Sequence, residues 1–187
     1  MKKLFICLLP LLLSACLFST PNSTFYLLES SSQAESVFQK KLNVAVYDVG
    51  LPDYLQKPQI VLQKHDSPEL KVSEFNRWAS DLDGMVQNTL IENLQKSFPQ
   101  STIKPLVFGS KATYIVKVNI EKMTGYFRQE AFLSGTWQII SQSGQILKQS
   151  DFNFQTEAGT TYASYVQAQS KLIFVLSEEL SENLNRF

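Results

Sequence analysis

The chain has 187 residues, 44% of them hydrophobic and 18% charged, and its 17 basic residues balance 17 acidic ones. That composition belongs to a globular protein, neither disordered nor polybasic, and scattered lysines without net charge argue against electrostatic capture of nucleic acid. Two cysteines cannot build a disulfide scaffold.

Met1-Lys2-Lys3 is a basic start, and Leu4 to Leu13 is an apolar run of ten interrupted by Pro10. A membrane-spanning helix needs roughly 20 apolar residues, so this segment reads as a signal peptide covering residues 1–15. Leu13-Ser14-Ala15-Cys16 resembles the bacterial lipobox, in which small neighbours let a peptidase cleave beside a cysteine whose thiol has taken a diacylglyceryl group. Cys16 is thus the expected lipid attachment site and mature N-terminus, and a diacylglyceryl group with a further amide-linked chain holds a protein on a bilayer. Aspartate at the next position is the usual signal for inner-membrane retention. Leu17 stands there instead, which points to the periplasmic face of the outer membrane. Without Lys2 and Lys3 the mature chain has 15 basic residues against 17 acidic, and without Cys7 it has no free thiol. Ser19 to Thr24 is a polar spacer, giving a tether over 16–24 and a single periplasmic domain over 25–187. About eight tether residues reach only ~28 Å.

Phe25-Tyr26-Leu27-Leu28 reads as a first strand, and Glu29 to Ser36 as a polar loop. Leu42 to Val49 is apolar on both faces, which suits a central strand. Gln59 to Gln63 and Glu69 to Ser73 flank the His65-Asp66-Ser67-Pro68 turn as a hairpin. A helix is predicted from Ser80, with Asp81 and Asp83 in its first turn and Leu82, Val86, Leu90 and Leu94 at spacing four, ending before Pro99. Three strands follow, Ala112 to Lys122, Ala131 to Ile139 and Ile146 to Phe154, with short turns that make an antiparallel meander. Leu133, Trp137 and Ile139 share one face of the second, with Gly135 between them. A final helix runs from Thr161 to Leu184, with its leucines on an apolar stripe and Glu178, Glu179 and Glu182 mostly off it as a solvated face. The expected fold is α/β (α+β), a mostly antiparallel sheet with two principal helices packed on one face.

The inventory for catalysis is thin. The one histidine, His65, sits in a polar turn with no thiol or second imidazole to join it, so no metal site is expected. No nucleophile elbow, zinc-binding helix motif or phosphate loop is present, and no cofactor is expected beyond the covalent lipid on Cys16. The protein is not expected to be an enzyme. What remains are residue types that anchor interfaces: Pro52, Asp53 and Tyr54 after the central strand, Trp78 before the first helix, and Phe127 in an aromatic loop. As a surface residue, Tyr54 should tolerate alanine within about 1 kcal/mol of stability.

Val49 with Leu51-Pro52-Asp53-Tyr54-Leu55, then Gln59-Ile60-Val61, Arg77-Trp78-Ala79 with Leu82, Asn88-Thr89-Leu90 and Asn93-Leu94 form a specific pattern. With the opening Phe25 to Leu28, it resembles the PqiC family, also called the ABC-type transport auxiliary lipoprotein family, over essentially the whole mature chain. Where many members follow the Trp-Ala pair with proline, this chain has Ser80-Asp81, which alters the helix cap. The resemblance implies an α/β sandwich anchored in the outer membrane. It also implies partnership with a periplasm-spanning MCE-domain protein (PqiB-like) and an inner-membrane PqiA-like protein in intermembrane lipid transport that maintains envelope integrity. A small lipoprotein capping a ring-symmetric MCE tube is most economically a ring homo-oligomer itself. The rival reading is a lipoprotein activator of a periplasmic cell-wall enzyme, for which the tether is short.

Overall fold

The computed structural model describes residues 21–127 and 129–187, so Cys16, Leu17 and the signal peptide lie outside the described residues. In chain order the elements are β1 (Thr24–Tyr26), β2 (Asn43–Val46), β3 (Gln59–Gln63), β4 (Leu70–Trp78), α1 (Leu82–Ser97), β5 (Thr102–Pro105), β6 (Tyr114–Gly125), β7 (Glu130–Ser141), β8 (Ile146–Glu157) and α2 (Tyr162–Leu184). They form an α+β fold with two sheets where one was expected: β1-β4-β3, and β5-β2-β6-β7-β8.

The long ladders are antiparallel, β6 with β7 and β7 with β8. Parallel pairing joins β2 to both β5 and β6. As expected of a central strand, β2 buries Val44, Ala45 and Val46 on both faces, although it is shorter than predicted. Strand β5 has no counterpart in the sequence reading, because Pro105 reads as a breaker; at an edge, a proline is tolerated. Strand β4 continues past Ser73 to Trp78 because β1 pairs with its last residues, Tyr26 opposite Trp78.

Helix α2 starts where predicted. Thr161 accepts from the Ser164 backbone N–H at 3.1 Å while the Thr161 N–H donates to Ser164 Oγ at 3.0 Å, a reciprocal cap. Helix α1 packs along α2 and over β5, while α2 covers β7 and β8, so both helices bury one face of the larger sheet. That face supplies Val116, Val118, Ile120, Leu133, Trp137, Ile139 and Phe152 to the core. Gly135 is required there: a Cβ would collide with the Asn119 backbone carbonyl on β6.

The seam between the helices is polar. Asn93 on α1 donates to Ser177 Oγ on α2 at 3.2 Å and accepts the Ser31 backbone N–H at 2.9 Å. Glu178 is buried, accepting from Ser36 N–H at 3.2 Å and Ser97 Oγ at 3.3 Å. Lys96 Nζ donates to Ser30 Oγ at 2.7 Å and to the Ser31 carbonyl. The loop after β1 is therefore a strap across the seam, closed where the Phe38 ring stacks on Phe98 at 5.1 Å. The expected solvated glutamate face is corrected here, because Glu178 holds the strap and Glu179 accepts from Trp137 Nε1 at 2.8 Å.

Asn93→Ala strips a partner from the buried Ser177 hydroxyl and from the half-buried Ser31 N–H and should lower stability by about 1–3 kcal/mol. Gln100→Ala, at an exposed side-chain hydrogen bond to Gln39, should stay within about 0.5 kcal/mol. Urea unfolding of both checks this. In the same assay Gly135→Ala should cost about 1–3 kcal/mol, since backbone must move to admit the methyl group.

Candidate docking surface

Two of the sequence patterns meet at one end of the molecule. Beyond β2 the chain continues to Gly50, which makes an isolated bridge alongside Asn119 of β6, its N–H donating to the Val118 carbonyl at 3.0 Å. Leu51 to Lys57 then folds into a tight 3-10 turn over Asp53–Leu55. Pro52 fixes its backbone, the Leu55 N–H donates to the Pro52 carbonyl at 2.9 Å, and Gln56 Nε2 donates to the Leu51 carbonyl at 2.9 Å. At the far side Trp78 N–H donates to the Pro58 carbonyl at 2.7 Å, which ties the turn to the end of β4 and the start of α1.

Between them lies a groove of about 350 Å³, lined by Leu51, Leu55, Lys57, Pro58, Asp81 and Asp83 among others. Its rim is of mixed charge, with the Lys57 ammonium on the turn and the two aspartates at the first turn of α1. Asp81 caps α1 by position without a side-chain hydrogen bond, leaving its carboxylate on the rim. Gln87, on the next turn of α1, donates to the Val46 carbonyl at 3.1 Å and to Asp48 Oδ1 at 3.3 Å, holding the end of β2 against the helix. Nothing in the spacing singles out Gln87, because an amide on an amphipathic helix reads as solvent-facing.

The predicted interface residues separate by burial. Asp53 is exposed and Pro52 half-buried, so both are presented at the surface. Tyr54 is half-buried, its hydroxyl meeting the Met123 backbone, and burial pushes its pKa up from the usual tyrosine value. Its ring therefore clamps the turn to β6, which places Tyr54→Ala above the range for a surface change. Trp78 is 4% exposed and packs in the core, as large aromatics at strand ends do, so its ring is not presented to a partner. Phe127 lies elsewhere, at the β6–β7 turn, edge-on to Tyr162 at 4.8 Å. There it borders a more apolar recess of about 450 Å³ with Leu62, His65, Leu70 and Tyr126. His65 is bonded to Asp66 at 2.7 Å and set edge-on to the Tyr126 ring at 5.6 Å. Among the described residues no group of three histidines, cysteines or acids is placed to hold a metal.

Tyr165 lies beneath this surface, fully buried, and burial pushes its pKa far above the usual value; Gln169 Nε2 donates to its hydroxyl at 3.2 Å. Both phenols keep their protons in the folded state while unfolded tyrosines ionise near pH 10, so the folded state binds more protons and stability falls as pH rises above about 10. Tyr165→Phe should flatten that alkaline decline, measured as the urea midpoint from about pH 8 to about pH 11. An unchanged slope would contradict the assignment.

Comparison with known proteins places the chain by sequence and by fold. Intermembrane transport lipoprotein PqiC of Escherichia coli strain K12 is 29% identical over 182 residues, covering 96% of this chain and 94% of that protein. The protein of the same name from Shigella flexneri matches to the same extent. A crystal structure of an uncharacterized protein superposes with a TM-score of 0.74 at 22% identity, covering 88% of this chain and 99% of the other. A Xanthomonas campestris protein superposes with a TM-score of 0.72 at 14% identity, covering 85% and 93%. At these identities the two structures show a shared fold alone. The family described as the ABC-type transport auxiliary lipoprotein component matches residues 26–181, and the chain belongs to that family.

Proposed function

We propose that this lipoprotein is the outer-membrane-anchored, periplasmic docking subunit of an MCE-type intermembrane lipid transport system, with no chemistry of its own. The observation that carries the reading is the near full-length match to proteins named intermembrane transport lipoprotein, on a family of transport auxiliary components. The partners are then a periplasm-spanning MCE-domain protein and an inner-membrane component, PqiB-like and PqiA-like. No helix among the described residues is long and apolar enough to cross a membrane, so in this reading the lipid on Cys16 supplies the attachment.

The groove between the 3-10 turn and α1 supports a docking role. A turn fixed by proline and by backbone hydrogen bonds loses little freedom when it binds, and Lys57 faces Asp81 and Asp83 across a rim that a polar partner can match. Docking of several copies around a symmetric tube would make individually weak contacts strong.

Two substitutions test the anchor. Cys16→Ala should leave an unprocessed or soluble species; continued outer-membrane fractionation with incorporation of labelled palmitate would refute the lipid site. Leu17→Asp should move the protein to the inner membrane and abolish its contribution to envelope integrity, read as detergent sensitivity of the cells. Unchanged fractionation of that variant would remove the basis for the outer-membrane location.

A further inference from the structure

Phe25 and Leu27 stand two residues apart on the segment of β1 and are 61% and 60% exposed. Burying such a side chain is worth about 1.5–3 kcal/mol, so leaving two of them in water on the first strand calls for a covering surface. They border a trough of about 530 Å³ between β1 and α2. The α2 wall is Ala163, Val166, Ser170 and Phe174 flanked by Gln167 and Lys171, and the Glu29 backbone N–H closes one end on Ser170 Oγ at 3.1 Å. Lys171 and Glu29 offset one another in formal charge, so the trough, apolar along Phe25, Leu27, Val166 and Phe174 and polar at Ser30, Ser31 and Gln167, carries no net charge.

The position of this trough along the chain identifies what covers it. The described chain begins at Pro21, and eight residues lie between Cys16 and Phe25, so that nine Cα steps span at most about 32 Å. A lipid on Cys16 therefore holds the trough beside one bilayer leaflet at an effective concentration near the millimolar range. At that concentration, a partition too weak to capture a free protein is enough to seat a tethered one. Two further exposed apolar pairs among the described residues, Val107 and Phe108 in the connection between β5 and β6 and Leu70 and Val72 on β4, have no such tie to a membrane.

We infer that the β1–α2 trough is a membrane-contacting face, which lays Phe25 and Leu27 into the headgroup–acyl boundary of the leaflet that carries the lipid on Cys16. The inference rests on the lipidation of Cys16. It adds an orientation: the domain lies against the membrane along β1 and α2 instead of hanging free on its tether. With no net charge in the trough, the contact is apolar and insensitive to salt.

The test uses the full lipidated protein in vesicles of phosphatidylethanolamine with a minority of phosphatidylglycerol. Cleavage removes Cys7 and lipid occupies Cys16, so Leu27→Cys provides a unique thiol for a nitroxide, with exposed Asp151→Cys on β8 as the reference and Phe25→Cys as a second probe. The nitroxides at 25 and 27 should collide with oxygen in preference to an aqueous nickel chelate, by several-fold over the probe at 151, at low and high salt alike. If the protein floats with the vesicles but the probe at 27 is as open to the nickel chelate as that at 151, the inference fails while the anchor stands. If the protein does not float, the anchor fails and the inference with it. Spin–spin broadening with exclusion of both reagents would show a second copy in the trough and overturn the proposal.

Discussion

The long strands of the larger sheet bury one face, and two helices are its cover. The cost of that arrangement sits at the helix seam, where Asn93 and Glu178 are enclosed and have to find partners. The segment from Glu29 to Phe38 supplies them through backbone N–H groups, which a side chain cannot replace without rebuilding the strap. With the strap held, β1 is delivered to the open side of β4, Trp78 is sealed into the core, and the N-terminal segment reaches the fold beside α2. The position of the tether thus depends on two polar side chains at the centre of the helix pair.

The same layout separates the trough beside β1 from the turn after β2. The N-terminal side of the molecule carries β1, the trough and the path to the predicted lipid. The stiff turn after β2 is built on other elements, held by Gly50 against Asn119 and by Gln87 against the end of β2. The trough and the turn thus stand on different elements of one core. Three polar side chains in its interior serve as structural ties: Glu178 to the strap, Glu179 to Trp137, and Gln169 through Nε2 to the Thr124 carbonyl, while Gln169 Oε1 and Thr124 Oγ1 are buried without a hydrogen-bond partner.

Much of this was legible in the chain. The stripe of α2 and its start at Thr161, the meander with Gly135 at its centre, and the doubly buried β2 follow from periodicity and local steric rules. What escaped depends on pairing between distant segments. The parallel pairing of β1 with β4 creates a second sheet from residues 52 apart, such as Thr24 and Asn76, and no local pattern announces it. Strand β5 is four residues ending in proline, which becomes a strand only because the free edge of β2 is available. Glu178 looks solvated on a helical wheel until the strap covers it. The interface residues divided on the same ground: Pro52 and Asp53 stay at the surface, whereas Trp78 is buried by β1 and Tyr54 is drawn onto β6, neither of which a sequence window contains.

The central claim is that the Pro52–Asp53 turn meets the periplasm-spanning MCE partner. Photo-crosslinking in intact cells tests it most directly, with a photoreactive side chain replacing Asp53 and, as the reference, Gln149 on exposed β8. The account predicts an adduct between the lipoprotein and the MCE-domain protein from position 53 and none from position 149. An adduct from position 149 alone, or from position 53 to a cell-wall enzyme, would contradict it.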